Sequence, residues 1–235
     1  MELRQREKVY LRDLPAELVE ELWRRFEQAL RPLQEAGKLG AVLFQFPPWF
    51  QPGRESAGYL ARLGERSPYR VAVEFRNAAW LAGKRRRETV ALLRGAGLVY
   101  VCVDAPQGFA SSVPPVVEVT REDLAVVRFH GRNRETWEVK GLSAAERFNY
   151  LYSEEELREW VPRVRELAGA VREVHVLFNN CWQDRAVVNA RQMLALLGLV
   201  QGTRSGSGGP CGSAGGWWAR AGRMLPIGQG HPPDA

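Results

Sequence analysis

The sequence lacks any apolar run long enough for a membrane helix. No stretch approaches the roughly 20 apolar residues of such a span, and the charged start MELRQREK has no apolar signal core. Cysteine is scarce too: Cys102, Cys181 and Cys211 are an odd number without metal-type spacing, which argues against a disulfide framework. We therefore expect a soluble, cytoplasmic protein with reduced thiols and no membrane partner.

The sequence is also short of lysine and of familiar catalytic motifs. Its positive charge is nearly all arginine, with a formal net charge of +6 and a pI near 9.5. A basic balance favours anionic partners only weakly and does not establish nucleic-acid binding. There is no Gly-rich phosphate loop, nucleophile elbow or zinc-protease helix motif. Function must therefore be inferred from where the polar residues fall in the fold.

Strand patterns alternate with helix patterns along the first 199 residues. Period-two alternation predicts strands over residues 41–46, 71–76, 98–104, 124–130 and 173–178. Helical spacing and end signals predict helices over residues 15–34, 57–63, 86–94, 153–167 and 184–197. Ser153, with Glu156 three residues further on, predicts a capping box at the start of the fourth helix. Strands separated by helices are typical of a parallel sheet built from strand-helix units.

Each predicted strand has one bulky apolar face, which we assign to the surrounding helices. In the third strand this face is Val99, Val101 and Val103. The other face becomes polar at the carboxyl end of the strands, where Glu74, Asp104 and His130 lie. This pattern predicts an α/β fold of TIM-barrel-like strand-helix units with a site at the barrel mouth. An open doubly wound sheet is the alternative.

The barrel expected from this pattern is incomplete. A full eight-unit barrel takes about 250 residues, and only about five of the eight strands are found. We predict a partial barrel domain over residues 1–199. Residues 200–235 are rich in Gly, Ser and Pro without apolar periodicity, and we predict a disordered tail there.

Polar residues at the strand ends form the candidate site. Glu74, Asp104 and His130 are the catalytic candidates, as acid and base or as ligands of a divalent metal whose identity is left open. Arginine and amide side chains are the candidates for binding an anionic substrate. These are Gln45, Arg76, Arg128, Arg132, Asn133, Asn179 and Asn180. The alternative is internal ion pairing, such as Glu74 with Arg76 or Arg128, because buried charges need partners.

Tryptophans follow four of the predicted strands. They are Trp49, Trp80, Trp137 and Trp182. Indole rings around one mouth can stack on bases or sugars, and Trp137 is included among the substrate-binding candidates. The same rings can instead anchor loops onto the barrel, and the sequence leaves both uses open.

Five segments with specific motifs are spread over about residues 8–199: GKLGAVLFQFPPWF, VAVEFRNAAWL, VRFHGRNRETW, YLYSEEELREW and VLFNNCWQDRAVVNARQMLALLG. They resemble the motifs of the YecE-like family, known as domain of unknown function 72. The resemblance implies a TIM-barrel-like fold with polar motifs at one mouth, and no established activity. By motif, the mouth residues fall on Gln45, Glu74, Arg76, Asp104, His130, Gly131, Arg132, Tyr152, Asn179, Asn180 and Asn189. On this resemblance, Tyr152 is also a substrate-binding candidate.

Two departures from the family pattern stand out. Many members have a histidine where this sequence has Cys181. Members also begin with about three further strand-helix units, including a Gly-Thr-Ser-Gly-Trp-like strand that is absent here. The sequence therefore resembles an N-terminally truncated member with an unrelated tail.

Three functional hypotheses follow. The first is metal-assisted hydrolysis of an anionic, phosphate-containing substrate, with a phosphodiester as the version to test. The second is a non-catalytic module that binds nucleic acid or a nucleotide through the arginines and tryptophans. The third is an inactive truncated fragment. The oligomeric state is left open.

Overall fold

The structure is a computed structural model that describes residues 10–199. The described residues divide into two compact units, with the boundary between Val42 and Leu43. The predicted tail, residues 200–235, lies outside the described residues. Within residues 10–199, no helix combines the length and the apolar character needed to cross a membrane.

The first unit contains a short 3-10 turn, Leu11–Asp13, followed by helix α1, Ala16–Glu35. Pro15 lies directly before the helix, where its fixed backbone angle suits a helix start. Glu21 forms ion pairs with Arg24 and Arg25 across one turn, each at 2.7 Å. The predicted helix is confirmed within one residue at each end, and none of its side chains is buried.

The second unit contains the strand-helix alternation that the sequence predicts. In chain order its elements are β1 (Val42–Gln45, which begins at the boundary between the units), α2 (Arg54–Arg66), β2 (Val71–Glu74), a 3-10 turn (Ala78–Leu81), α3 (Arg85–Gly95), β3 (Val99–Asp104), β4 (Ala125–Phe129), α4 (Ala144–Arg147), α5 (Glu154–Ala170), β5 (Val174–Phe178) and α6 (Arg185–Leu197). The predicted capping box of α5 is present, because Ser153 and Glu156 each accept from the other's backbone N–H. The short helix α4 and the 3-10 turn Ala78–Leu81 are not among the predicted elements.

The five parallel strands form one sheet in the order β1-β2-β3-β4-β5. Every strand therefore lies beside the strand that precedes it, and the order never reverses. Doubly wound sheets require a reversal of strand order, whereas barrels add strands in one direction. The TIM-barrel-like class with five strands is confirmed, and the doubly wound alternative is wrong.

The register of β3 corrects the predicted assignment of its faces. Paired residues of parallel strands point to the same side of a sheet. Asp104 pairs with Phe129, and Val103 pairs with Arg128. Asp104 therefore lies on the face of Phe129, not on the face of the Arg128 side chain. The prediction that Val99, Val101 and Val103 share the apolar face of the other strands is wrong. Every residue of β3 is buried, so the alternation of residue types along β3 does not show which face the helices cover.

Aromatic side chains fill much of the core at the carboxyl ends of the strands. Phe75 stacks on Trp80 with ring centroids 4.5 Å apart, and Trp80 stacks in turn on Phe50. The indole Nε1–H of Trp80 donates to the backbone oxygen of Phe50 at 2.8 Å. Trp80 therefore anchors its loop to the core, which is one of the two uses expected of the tryptophans.

Cys102 is fully buried inside β3, and burial raises the pKa of its thiol to about 12. We expect the native thiol to react with a thiol reagent far more slowly than in denaturant, because the thiolate is the reactive form. The test uses Cys181→Ser combined with Cys211→Ser, which leaves Cys102 as the single thiol. A matched variant that retains only the exposed Cys181 should label rapidly. Equal labelling of native and denatured Cys102 would contradict the assignment.

Candidate functional site

The predicted site residues separate into two clusters. The Glu74 cluster consists of Gln45, Glu74, Arg76, Arg128, His130 and Asn179. The Asp104 cluster consists of Asp104, Arg132, Tyr152, Glu156, Glu159 and Trp160. Within residues 10–199, the carboxylates of Glu74 and Asp104 share no partner.

Glu74 ends β2, and its carboxylate is fully buried between basic side chains. Arg76 Nε lies 2.8 Å from Oε1 as an ion pair, although its N–H is not aligned for a hydrogen bond. Arg128 Nη1 donates to Oε2 at 2.5 Å. His130 Nε2 lies 2.9 Å from Oε1. Burial alone would raise the pKa of Glu74, but the His130 hydrogen bond and the two arginine charges outweigh it and lower the pKa to about 2.

His130 is a neutral imidazole in this environment. Burial lowers its pKa to about 4, because the charges of Arg76 and Arg128 add to the desolvation cost and Glu74 compensates only in part. Its Nδ1 lies 3.0 Å from the amide nitrogen of Asn179 and 3.3 Å from Arg76 Nη2. Both of these groups are donors, so Nδ1 is the acceptor and Nε2–H donates to Glu74. Neither ring nitrogen has a free lone pair.

The two arginines of the Glu74 cluster are largely buried, with side chains 10% and 11% exposed for Arg76 and Arg128. The guanidinium carbon of Arg76 lies 5.2 Å from the ring centroid of Trp137 and 5.9 Å from that of Phe148. Trp137 is itself buried and donates from Nε1 to Ser111 Oγ at 2.9 Å. The predicted residue Trp137 therefore lines the cluster by covering one arginine.

Asp104 ends β3 on the opposite face, and four donor groups saturate its carboxylate. Tyr152 Oη donates to Oδ1 at 2.7 Å, and Trp160 Nε1 donates to Oδ2 at 2.7 Å. Arg132 donates through Nε to Oδ1 at 3.0 Å and through Nη2 to Oδ2 at 2.8 Å. This arrangement holds the loop after β4 against α5, and it is a closed structural network rather than an open acidic site.

Acidic residues of α5 extend the Asp104 cluster to its surface. Arg132 Nη2 also lies 2.9 Å from Glu159, and Nη1 lies 3.5 Å from Glu156. Burial alone would lower the pKa of Arg132, but the hydrogen bonds to Asp104 and Glu159 outweigh it and raise the pKa. Burial and the charge of Asp104 raise the pKa of Tyr152 well above its ordinary value. Arg132 stays a cation and Tyr152 a neutral donor.

The sequence matches the family model described as "Protein of unknown function DUF72" over residues 5–209. The chain belongs to this family. It is 36% identical over 194 residues to the UPF0759 protein YunF of Bacillus subtilis strain 168, covering 80% of this chain and 68% of that protein.

Solved DUF72 proteins have a similar structure. One from Thermotoga maritima is 39% identical with a TM-score of 0.67, covering 74% of this chain and 64% of its own. Another, from Enterococcus faecalis, is 30% identical with a TM-score of 0.72, covering 78% of this chain and 67% of its own. The chain therefore spans less than two thirds of the Thermotoga protein, and any activity of the whole family protein is a proposal for this chain.

Of the three catalytic candidates in this DUF72 chain, the structure brings together Glu74 and His130 only. Asp104 was expected to share a metal or a proton with His130, and that arrangement is wrong because the β3 register turns its side chain to the opposite face. Within residues 10–199, no three His, Cys, Asp or Glu side chains are grouped to hold a metal ion. Four of the substrate-binding candidates belong to the Glu74 cluster: Gln45, Arg76, Arg128 and Asn179.

The remaining substrate-binding candidates lie elsewhere. Arg132 and Tyr152 belong to the Asp104 cluster. Asn133 shapes its own loop, donating to the backbone oxygen of Asn149 at 3.2 Å and accepting from the N–H of Glu135. The amide of Asn180 is buried and donates to the backbone oxygen of Tyr150 at 3.0 Å and to Asn189 at 2.8 Å. These contacts position the loop over the strand ends.

The sequence analysis missed several residues that shape the two clusters. Phe148 lies 5.6 Å from the ring of His130, and Trp160 binds Asp104 from α5. Both lie far along the chain from their partners, and no local pattern indicates the contact. Asn189 is known only from the family motif. Its side-chain amide accepts from the backbone N–H of Tyr152 at 3.1 Å and donates to the backbone oxygen of Tyr152 at 3.0 Å.

Gly131 joins the two clusters and requires glycine for two reasons. Its φ is +87°, and a Cβ there would lie 2.6 Å from the Cβ of Tyr150. Gly141 has nearly the same φ, +84°, with no described atom within 4 Å of its Cβ position. We expect Gly141→Ala to cost about 1–2 kcal/mol of unfolding free energy from backbone strain. Gly131→Ala should cost about 2 kcal/mol more, because the clash adds to the same strain.

Urea denaturation of both variants measures this difference directly. The two glycines have nearly the same positive φ, so the comparison isolates the contact with Tyr150. Equal destabilisation by the two substitutions would show that the loop moves freely away from Gly131, contrary to the tight approach in the structure.

Proposed function

We propose that the Glu74 cluster binds a phosphate-bearing anion. The observation that carries this proposal is an excess of buried positive charge. Two largely buried guanidinium groups face a single carboxylate, and His130, which contacts the same carboxylate, is neutral. Buried charges that lack counter-charges are costly, and arginine is the residue best suited to hold phosphate or carboxylate oxygens.

The electrostatics of Arg76 support the same conclusion. Burial lowers the pKa of Arg76, and the charges of Arg128 and Arg147 lower it further, while Glu74 alone compensates. Arg147 carries a buried Nε without a partner among the described residues. An anion at this cluster supplies a second negative charge beside Arg76 and Arg128, and it offsets the repulsion between Arg76 and Arg147.

The hydrolase hypothesis of the sequence analysis requires a group that activates water. His130 has both ring nitrogens engaged, and the carboxylates of Glu74 and Asp104 already accept from arginine. The described residues offer no group of three metal ligands. Our proposal is therefore anion binding, and it specifies no reaction.

A nucleic-acid or nucleotide ligand is the second candidate. Trp49 follows β1 four residues after Gln45, and its side chain is 61% exposed. An exposed indole at this end of the sheet is a surface on which a base can stack. A ligand with a base should then bind more tightly than inorganic phosphate, and substitution of Trp49 should remove only that increment.

Isothermal titration of inorganic phosphate, a nucleoside monophosphate and a single-stranded oligonucleotide tests both candidates. We expect Arg128→Gln to weaken phosphate binding about tenfold or more, since one charge-assisted contact contributes 1.4 kcal/mol or more. Arg70→Gln is the control, because Arg70 pairs with Glu173 at the start of β2 and β5, at the opposite end of the strands. Thermal melts establish that both variants are folded. Equal phosphate affinity of Arg128→Gln and the unsubstituted protein would contradict the proposed site.

A further inference from the structure

Gln45 differs from every other member of the Glu74 cluster because its side chain is exposed. Its Oε1 accepts from Arg76 Nη2 at 3.4 Å and from Arg128 Nη1 at 3.2 Å. One neutral oxygen therefore lies at the point where both guanidinium groups converge. This is the geometry that two arginines offer to an oxygen of a bound anion.

The contacts of Gln45 are those of a displaceable group. Both hydrogen bonds are long for N–H···O contacts, and the exposed amide can exchange them for bonds to water at little net cost. Asn179, the other amide of the cluster, is held on both sides. It lies 3.0 Å from His130 Nδ1, accepts from Arg128 at 3.2 Å and donates its backbone N–H to Phe129 at 2.7 Å.

We propose that Gln45 is an internal competitor for the anion. Its Oε1 occupies the position that an oxygen of the phosphate-bearing ligand takes, and the side chain moves into solvent when the ligand binds. This inference rests on the proposed function and adds a selectivity to it. Neutral acceptors gain nothing over the amide of Gln45, whereas an oxyanion forms charge-assisted hydrogen bonds to the same two arginines and displaces it.

Two substitutions at Gln45 should act in opposite directions. Gln45→Ala removes the competitor, and phosphate should bind about fivefold more tightly, the change expected for freeing about one weak hydrogen bond. Gln45→Glu places a tethered carboxylate between the arginines, so phosphate affinity should fall at least tenfold while the melting temperature rises. Gln51→Ala, at an exposed glutamine on the following loop, is the matched control and should leave phosphate affinity unchanged.

Titration of inorganic phosphate into the full chain and the three variants separates the possible results. Tighter binding by Gln45→Ala together with weaker binding by Gln45→Glu supports the competitor role. Binding by the unsubstituted protein that weakens in Gln45→Ala shows that Gln45 holds the ligand, which overturns the competitor role alone. No phosphate binding by either the unsubstituted protein or Gln45→Ala overturns the proposed function itself.

Discussion

Glu74→Gln is expected to lose about 3–5 kcal/mol of unfolding free energy, the cost of removing one member of a buried ionic network. The substitution keeps the shape of the side chain and removes the one negative charge that faces Arg76 and Arg128. The two guanidinium groups then repel each other in a largely water-free environment. Equilibrium unfolding in urea at neutral pH measures the loss.

A matched control lies at the surface of the same sheet. Glu173 pairs with Arg70 at 3.1 Å, but its side chain is 51% exposed, and Glu173→Gln should change stability by no more than about 1 kcal/mol. Phosphate should restore part of the stability of Glu74→Gln, because a bound anion replaces the lost charge. If Glu74→Gln lost as little unfolding free energy as Glu173→Gln, the buried Glu74 network would stabilise the fold no more than an exposed ion pair.

The acid sensitivity of the protein provides a second measure of the same cluster. The folded pKa of Glu74, about 2, lies below its ordinary value of 4.5, so its contribution is complete above pH 4.5 and is lost as the pH falls toward 2. The folded pKa of His130, about 4, lies below 6.5. Protonation therefore favours the unfolded chain as the pH falls from 6.5 to 4. Both groups make the folded state less stable in acid. In Glu74→Gln, the loss of stability between pH 4.5 and 2 that Glu74 causes should be absent.

The amino-acid sequence predicts most of the local structure because local patterns encode it. The alternation of Val71 and Val73 with Ala72 and Glu74 marks β2 to within two residues. The capping box at Ser153 fixes the start of α5. The nearness of Glu74 and His130 was also predictable, since both end polar faces of strands, and parallel strands bring such ends to one edge.

The division into two clusters was not predictable, because it depends on the pairing between strands. In β3, valines alternate with Tyr100, Cys102 and Asp104, and either set can face the helices when both faces are buried. Only the pairing of Asp104 with Phe129 shows on which face of the sheet the Asp104 side chain lies. A shift of one residue in the register would have placed Asp104 beside Arg128. The expectation that Asp104 and His130 share a polar face is met only by such a shift.

Asp104→Asn should therefore act on the fold rather than on ligand binding. The amide cannot accept from all the donors that now surround the carboxylate. Its own N–H₂ faces either Arg132 Nε and the hydroxyl of Tyr152, or Arg132 Nη2 and the indole N–H of Trp160. We expect a loss of about 3–5 kcal/mol of unfolding free energy, because buried donors are left unpaired and the positive charge of Arg132 loses the most buried of its three carboxylate partners. Phosphate affinity at the Glu74 cluster should be unchanged in the fraction that remains folded.

Two further variants define how specific this effect is. Asp123 also pairs with an arginine, Arg121, at 2.7 Å, but its side chain is 28% exposed, and Asp123→Asn should cost about 1 kcal/mol or less. Arg132→Ala should cost less than Asp104→Asn, since Asp104 keeps the hydroxyl of Tyr152 and the indole of Trp160. If Asp104→Asn instead abolished phosphate binding and left stability intact, Asp104 would belong to the binding site, and the separation of the two clusters would be wrong.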